Sequence, residues 1–322
     1  MEKLYKSDLA QNMISFISFK NALGLKYETD EYYLHQFDDY YSTEKLKSNS
    51  LTDIIKSWVI LRDNEIPTTQ HRRVAMIREF GKFLSNSGYP DAYILPNKVC
   101  QKQGRTIPHF FTNDEILKFF CACDTLDSCP KIGVRHFVLP MLYRLLFCCG
   151  LRTCEARKIM CKDVNTSEGY IDIYSSKGPK DRRIYLPQDL VVLFKKYDTK
   201  INCILPERVY FFPVTIDSCY SRTSVSYNFK NIWEKAGLKK ESDKKIRAYD
   251  FRHHFAFANI NRWIEEETNV NAMLPYLMRY MDHSELYSTL YYLHLVPEFF
   301  STFNVKTKSL ENLLPEVAYE ED

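Results

Sequence analysis

Apolar side chains recur near a period of 3.6 through the first part of the chain, as in Ile54, Trp58 and Ile60, or Val74, Ile77, Phe80 and Phe83. This spacing predicts four helices, over residues 9–23, 30–40, 51–61 and 69–86. From Pro90 to Phe111 the periodicity is lost, and Pro90, Pro96, Gly104 and Pro108 mark an extended linker. Thr112, Asn113, Asp114 and Glu115 then give a helix N-terminus, where a second domain begins. An apolar run from Phe137 to Phe147 ends at Cys148, Cys149 and Gly150, glycine being the usual helix stop. Thr153 can cap the next helix, with Glu155 in its first turn. Residues 170–175 and 182–186 alternate as strands around the turn Lys177-Gly178-Pro179-Lys180. Helices are expected again over 190–197 and 224–236, the latter stopped by Gly237. The pattern predicts a mainly α protein with one small antiparallel sheet, divided into a helical domain (1–96), a basic linker (97–111) and a second, mostly helical domain (112–322).

At 322 residues the chain is long enough for two cores. The longest apolar candidate, Val138 to Leu151, is broken by Arg144 and falls short of the roughly 18 residues a membrane span needs. The N-terminal stretch lacks the apolar core of a signal peptide, so no membrane association and a cytoplasmic location are expected. All ten cysteines lie between Cys100 and Cys219 without a CxxC pair, which reads as reduced thiols in the core. Cys121, Cys123 and Cys129 lack the paired spacing of tetrahedral zinc, so no metal site is expected.

The net charge of +3 decides little, because anion binding needs local charge. Local clusters are present at Lys98, Lys102 and Arg105, at 177–183 with Lys180 and Arg182, and at 239–252. The start of the fourth helix presents Thr68, Gln70, Arg72 and Arg73, groups suited to a nucleic-acid backbone or base edges. Two arginines stand apart. Arg252 sits at helical spacing among Phe251, Phe255 and Phe257, where burial is costly unless an anion is near. Arg152 falls at the junction of two helices, held by apolar segments on both sides and free to point into a cleft.

Four segments carry a family resemblance: GLRTCEA at 150–156, YSSKGPKDRRIYLP at 174–187, AYDFRHHFA at 248–256 and MDHSELYSTLYYLH at 281–294. In order, spacing and flanking residues the chain resembles the tyrosine recombinases of the phage integrase family, from about Thr112 to His294. The resemblance implies a SAM-like four-helix core-binding domain and a catalytic domain of the DNA breaking-rejoining fold. It implies site-specific recombination of double-stranded DNA through a 3′-phosphotyrosyl intermediate, without metal or cofactor, as in integration or transposition of mobile elements. Arg152 and Arg252 match the family's two arginines, Lys177 the hairpin lysine, His283 the histidine before the nucleophile and Tyr292 the nucleophile itself. Tyr291 is the rival, turned about 100° away on a helix.

By the same resemblance Lys177 is the general acid for the 5′ oxygen, and Glu155 and His253 orient the arginines. His254 has no assigned role. Tyr249 departs from the family, which most often has histidine three residues before the second arginine; a phenol can position a phosphate but is a poor base at neutral pH. The apolar tail from Pro297 to Pro315 needs a cover, either its own domain or, as the resemblance implies, a neighbouring subunit in a tetramer on two DNA sites. Two other functions remain open on these residues: a catalytically idle DNA-binding subunit, or relaxation of supercoils alone, as in type IB topoisomerases.

Overall fold

The computed structural model describes residues 4–25, 27–47, 50–97, 99–100, 108–128, 133–174, 181–238, 246–283, 289–290 and 292. The chain divides into two compact units, Met1–Thr106 and Ile107–Asp322. Both are helical, and short antiparallel strands occur in the second.

The first unit contains α1 (Ala10–Ala22), α2 (Glu28–Lys45), α3 (Leu51–Trp58) and α4 (Pro67–Asn86). The Ser50 hydroxyl caps α3 by accepting from the Asp53 amide at 3.1 Å, and Pro67 opens α4 where an absent N–H costs nothing. Met13, Phe16, Leu34, Phe37, Ile54, Trp58, Ile77 and Phe80 form one buried core across the four helices. The third helix ends three residues before the predicted Leu61, and Ile60 and Leu61 lie exposed beyond it. The linker's first residues pack on this unit. Leu95 is buried in its core, and Arg78 donates to the Leu95 carbonyl at 3.0 Å and the Pro96 carbonyl at 2.7 Å.

The second unit opens with α5 (Asn113–Asp124), whose capping box joins Thr112 and Glu115 reciprocally. It continues with α6 (Arg135–Cys149), the short α7 (Thr153–Ala156), and a three-stranded sheet of β1 (Val164–Asn165), β2 (Tyr170–Ile173) and β3 (Arg182–Tyr185) in that order. The β2–β3 register pairs Ile171 with Ile184 and Tyr170 with Tyr185, and both isoleucines are buried. The predicted hairpin tip falls at 175–180, outside the described residues. Next comes α8 (Gln188–Ile204), longer than predicted because its apolar face runs on from Leu190 and Phe194 through Tyr197 to Ile201. A second hairpin, β4 (Pro213–Thr215) with β5 (Ser218–Cys219), leads to α9 (Arg222–Lys235), α10 (Asp250–Glu265) and α11 (Val270–Tyr280).

Helix α6 packs against α5, α8 and α10 in the centre of this unit. Its end is fixed by Gly150 in the left-handed region (φ 57°), where an added Cβ would lie 2.5 Å from Cδ1 of Phe255 on α10. This close approach brings the α6–α7 junction against the first turns of α10.

Candidate active site

Arg152 is the residue at which α6 and α7 meet, and its side chain is one quarter exposed. Its Nη1 donates to Oε1 of Glu155 at 2.8 Å and to Oδ2 of Asp282 at 2.6 Å, while Nη2 donates to the Asp282 carbonyl. Glu155 also accepts from the Arg152 amide at 3.0 Å, which caps α7, and from both Nη atoms of Arg182 at 3.2 and 2.8 Å. Burial would raise the Glu155 pKa, but bonds from Arg182 and Arg152 outweigh it and hold the carboxyl below its ordinary value. Burial likewise opposes the charge on Arg152, and Asp282 and Glu155 overcome it, keeping that pKa above the usual one.

Arg252, in the first turn of α10, is almost wholly buried. No carboxylate pairs with it among the described residues. Nη1 donates to the Gly150 carbonyl at 2.8 Å and Nη2 to the Met281 carbonyl, while Nε finds no acceptor there. Burial lowers its pKa, and repulsion from Arg152 lowers it further. Met281 and Asp282, in the turn that ends α11, therefore accept from both arginines. Among the described residues the hydrogen-bond acceptors of Arg252 are neutral carbonyls, which do not cancel its positive charge.

Tyr292 is 3% exposed and packs with Ala256, Ile260, Leu277 and Met281 from α10 and α11. Its hydroxyl lies 2.9 Å from Nδ1 of His253, and its ring is stacked 6.2 Å from that of His283. His283 meets Oγ1 of Thr289 at 2.8 Å. Both histidines are held at pKa values of about 4, His253 by burial and then Arg247 and Arg252, His283 by burial and then Arg252 and Arg152. They are neutral at physiological pH. Tyr249 is 38% exposed, with its ring edge-on to that of His253 at 5.1 Å.

The structure thus gathers Arg152, Glu155, Arg252, His253, His283 and Tyr292 around the Met281–Asp282 turn, with Tyr249 beside His253. His253, expected to orient the arginines, follows Arg252 on α10 and contacts the Tyr292 hydroxyl. His254 points the other way, stacked 5.5 Å from Phe147. Asp282 and Thr289 were not anticipated. The signal for each was a polar residue in the segment around His283 that the expected chemistry left unused.

Three residues expected on a nucleic-acid surface are engaged elsewhere. Arg182 clamps Glu155 with a side chain only 10% exposed. Arg73 is fully buried: Nε donates to Glu65 at 2.6 Å, Nη1 to the Trp58 carbonyl, and the guanidinium lies 5.0 Å from the Trp58 ring. Gln70 donates its amide to the Val59 carbonyl at 3.0 Å. A buried guanidinium between a carboxylate and carbonyls ties α3 to α4 and has no reach to solvent. Thr68 and Arg72 are exposed, with Arg72 only 3.6 Å from Asp30. Lys98, Lys102, Arg105, Lys177 and Lys180 lie outside the described residues, as do Tyr291 and the tail from 293 onward. Among the described residues no helix is long and apolar enough to cross a membrane.

This fold is the one found in tyrosine recombinases. The XerH site-specific recombinase, bound to a palindromic difH substrate in a post-cleavage complex, superposes with a TM-score of 0.65 at 19% identity, over 95% of this chain and 86% of that one. The family model for the phage integrase family matches residues 109–298, and the chain belongs to that family. It is by class a tyrosine-type site-specific recombinase. A Sinorhizobium fredii protein described as an integrase/recombinase, y4rE, is 22% identical over 88% of this chain and 91% of its own length. A tyrosine recombinase of Pseudothermotoga lettingae is 26% identical over 72% of each.

Proposed function

We propose that this recombinase cleaves and rejoins duplex DNA at specific sites, with Tyr292 as nucleophile and a 3′-phosphotyrosyl bond as intermediate. The observation that carries the proposal is the placement of the Tyr292 hydroxyl 2.9 Å from a neutral histidine, with that histidine directly after Arg252 in α10. In this reading the phenol oxygen attacks phosphorus, and the bond to the 5′ oxygen breaks. The phenol proton passes to Nδ1 of His253. Arg152, Arg252 and His283 donate to the non-bridging oxygens as their charge grows, and each such donor is worth about 10²–10³ in rate. The bond energy is kept in the phosphotyrosine for rejoining.

His253 resolves the difficulty raised by Tyr249. Burial and two arginines keep its proton affinity low without substrate. A phosphodiester bound by Arg252 offsets that arginine's charge and raises the proton affinity of His253 as the proton is needed. Tyr249 then serves to position His253 or the phosphate. Lys177 is proposed, from the family resemblance, to protonate the leaving 5′ oxygen. Double-stranded DNA is the proposed substrate and partner, and a tetramer on two sites, tied by the tail beyond Tyr292, the proposed assembly. The XerH neighbour was captured with its DNA substrate, which accords with this reading.

The test is incubation with a pool of nicked duplexes of randomised sequence, followed by denaturing electrophoresis. A detergent-resistant protein–DNA adduct supports cleavage; DNA binding without any adduct supports the idle-subunit reading. Sequences recovered from the adduct, placed pairwise in a supercoiled plasmid, then separate strand exchange from relaxation alone.

A further inference from the structure

Asp282 has a left-handed backbone (φ 52°), a conformation that glycine enters freely and other residues rarely adopt. Among the described residues Glu267 is the other non-glycine residue at positive φ. The conformation turns both acceptors of Asp282 onto one guanidinium: Oδ2 lies 2.6 Å from Nη1 of Arg152, and the carbonyl accepts from Nη2. Glu155 binds the same Nη1 from the helix side and shares its charge with Arg182. Asp282 therefore contributes a second carboxylate to a guanidinium that one carboxylate already supports. Its side chain is partly exposed, as is that of Arg152, so the pair stands at the mouth of the site and not in the core.

A guanidinium fork accepts carboxylate and phosphate oxygens in the same planar geometry. We propose that the Asp282 carboxylate is an internal competitor of the phosphodiester: it occupies Arg152 until DNA, held by the rest of the protein, displaces it. The inference rests on the reading of the Arg152–Arg252 pocket as a phosphate site. Its consequence is selectivity. A small free anion brings no other binding energy and displaces Asp282 only at a cost in affinity, whereas a phosphodiester in a bound duplex arrives at high effective concentration. Asp282 is thus a positioning residue that sets the threshold for anion entry.

The probe is inorganic phosphate, titrated calorimetrically into the full chain and its variants at constant ionic strength. Asp282→Asn removes the competing charge, and Asp282→Gly also fits the backbone, so at least one folded variant is secured. Both are expected to bind phosphate about fivefold to tenfold more tightly than the parent. Adding Arg152→Gln should abolish the gain. Unchanged or weaker phosphate binding in both Asp282 variants, with Arg152→Gln still weakening it, overturns the competitor role while leaving the phosphate site intact. Phosphate binding that ignores Arg152→Gln in every background, or no binding by any variant, overturns both the competitor role and the phosphate-site reading.

Discussion

The hydroxyl of Tyr292 lies 2.9 Å from Nδ1 of His253, although 39 positions separate the two in sequence. His253 follows Arg252 on α10, and Arg252 reaches the carbonyls of Gly150 and Met281. One helix, α10, thus carries the neutral imidazole and the buried guanidinium side by side and holds the imidazole against the buried phenol. The arrangement depends on how α6 ends, on the carboxylate between two arginines and on the protonation state of two histidines.

Gly150 holds α6 against α10, and its own carbonyl receives Arg252. Gly150→Ala combines a left-handed backbone with a contact 2.5 Å from Phe255, and should cost about 2 to 4 kcal/mol. Thermal or urea denaturation checks this. The variant should also lose cleavage under conditions where it remains folded.

Glu155 is 6% exposed and binds both Arg152 and Arg182. Glu155→Ala leaves two partly buried guanidiniums without that partner and removes the α7 cap. We expect a loss of about 3 to 5 kcal/mol in urea unfolding. Replacing Arg182 and Glu155 together by apolar residues should cost less than Glu155→Ala alone.

The histidines make stability depend on pH. Unfolded, they bind protons near the ordinary 6.5; folded, they resist until about 4. Between these values the unfolded state holds more protons, so stability falls as pH is lowered from 6.5. Melting temperature should drop across this range, and His253→Asn with His283→Asn should flatten the slope. Glu155, whose pKa is below the ordinary 4.5, adds its own loss only in more acidic solution.

In the first unit, adjacent arginines have opposite roles. Arg73→Ala strands Glu65 and opens space beneath Trp58, and should destabilise by about 3 to 5 kcal/mol. Arg72→Ala should change stability by less than about 0.5 kcal/mol. If Arg72 meets a DNA phosphate, its removal lowers the salt dependence of binding by about one ion. Denaturation and salt titration of DNA binding separate the two effects.

Much of this organisation was readable in the residues. Thr112 with Glu115 announced a helix start, Gly150 a helix stop, and the alternation around Ile171 and Ile184 a strand pair. These signals are local, set by backbone groups within a few residues. What the sequence concealed depended on direction and on distant partners. Arg72 and Arg73 are neighbours, but about 100° of helix rotation sends one to solvent and the other under Trp58. Arg182 looked like one cation in a basic hairpin, and its carboxylate partner lies 27 positions earlier. Asp282 was hidden for a different reason: its contact with Arg152 requires a backbone conformation that its residue type does not announce.

Tyr292, and not its neighbour Tyr291, is the proposed nucleophile. The adduct trapped on a nicked duplex can be digested with protease and nuclease and its peptide sequenced by tandem mass spectrometry. The nucleotide should be attached through the oxygen of Tyr292, and Tyr292→Phe should give no adduct. A nucleotide on Tyr291, or an adduct that persists in Tyr292→Phe, would contradict that assignment.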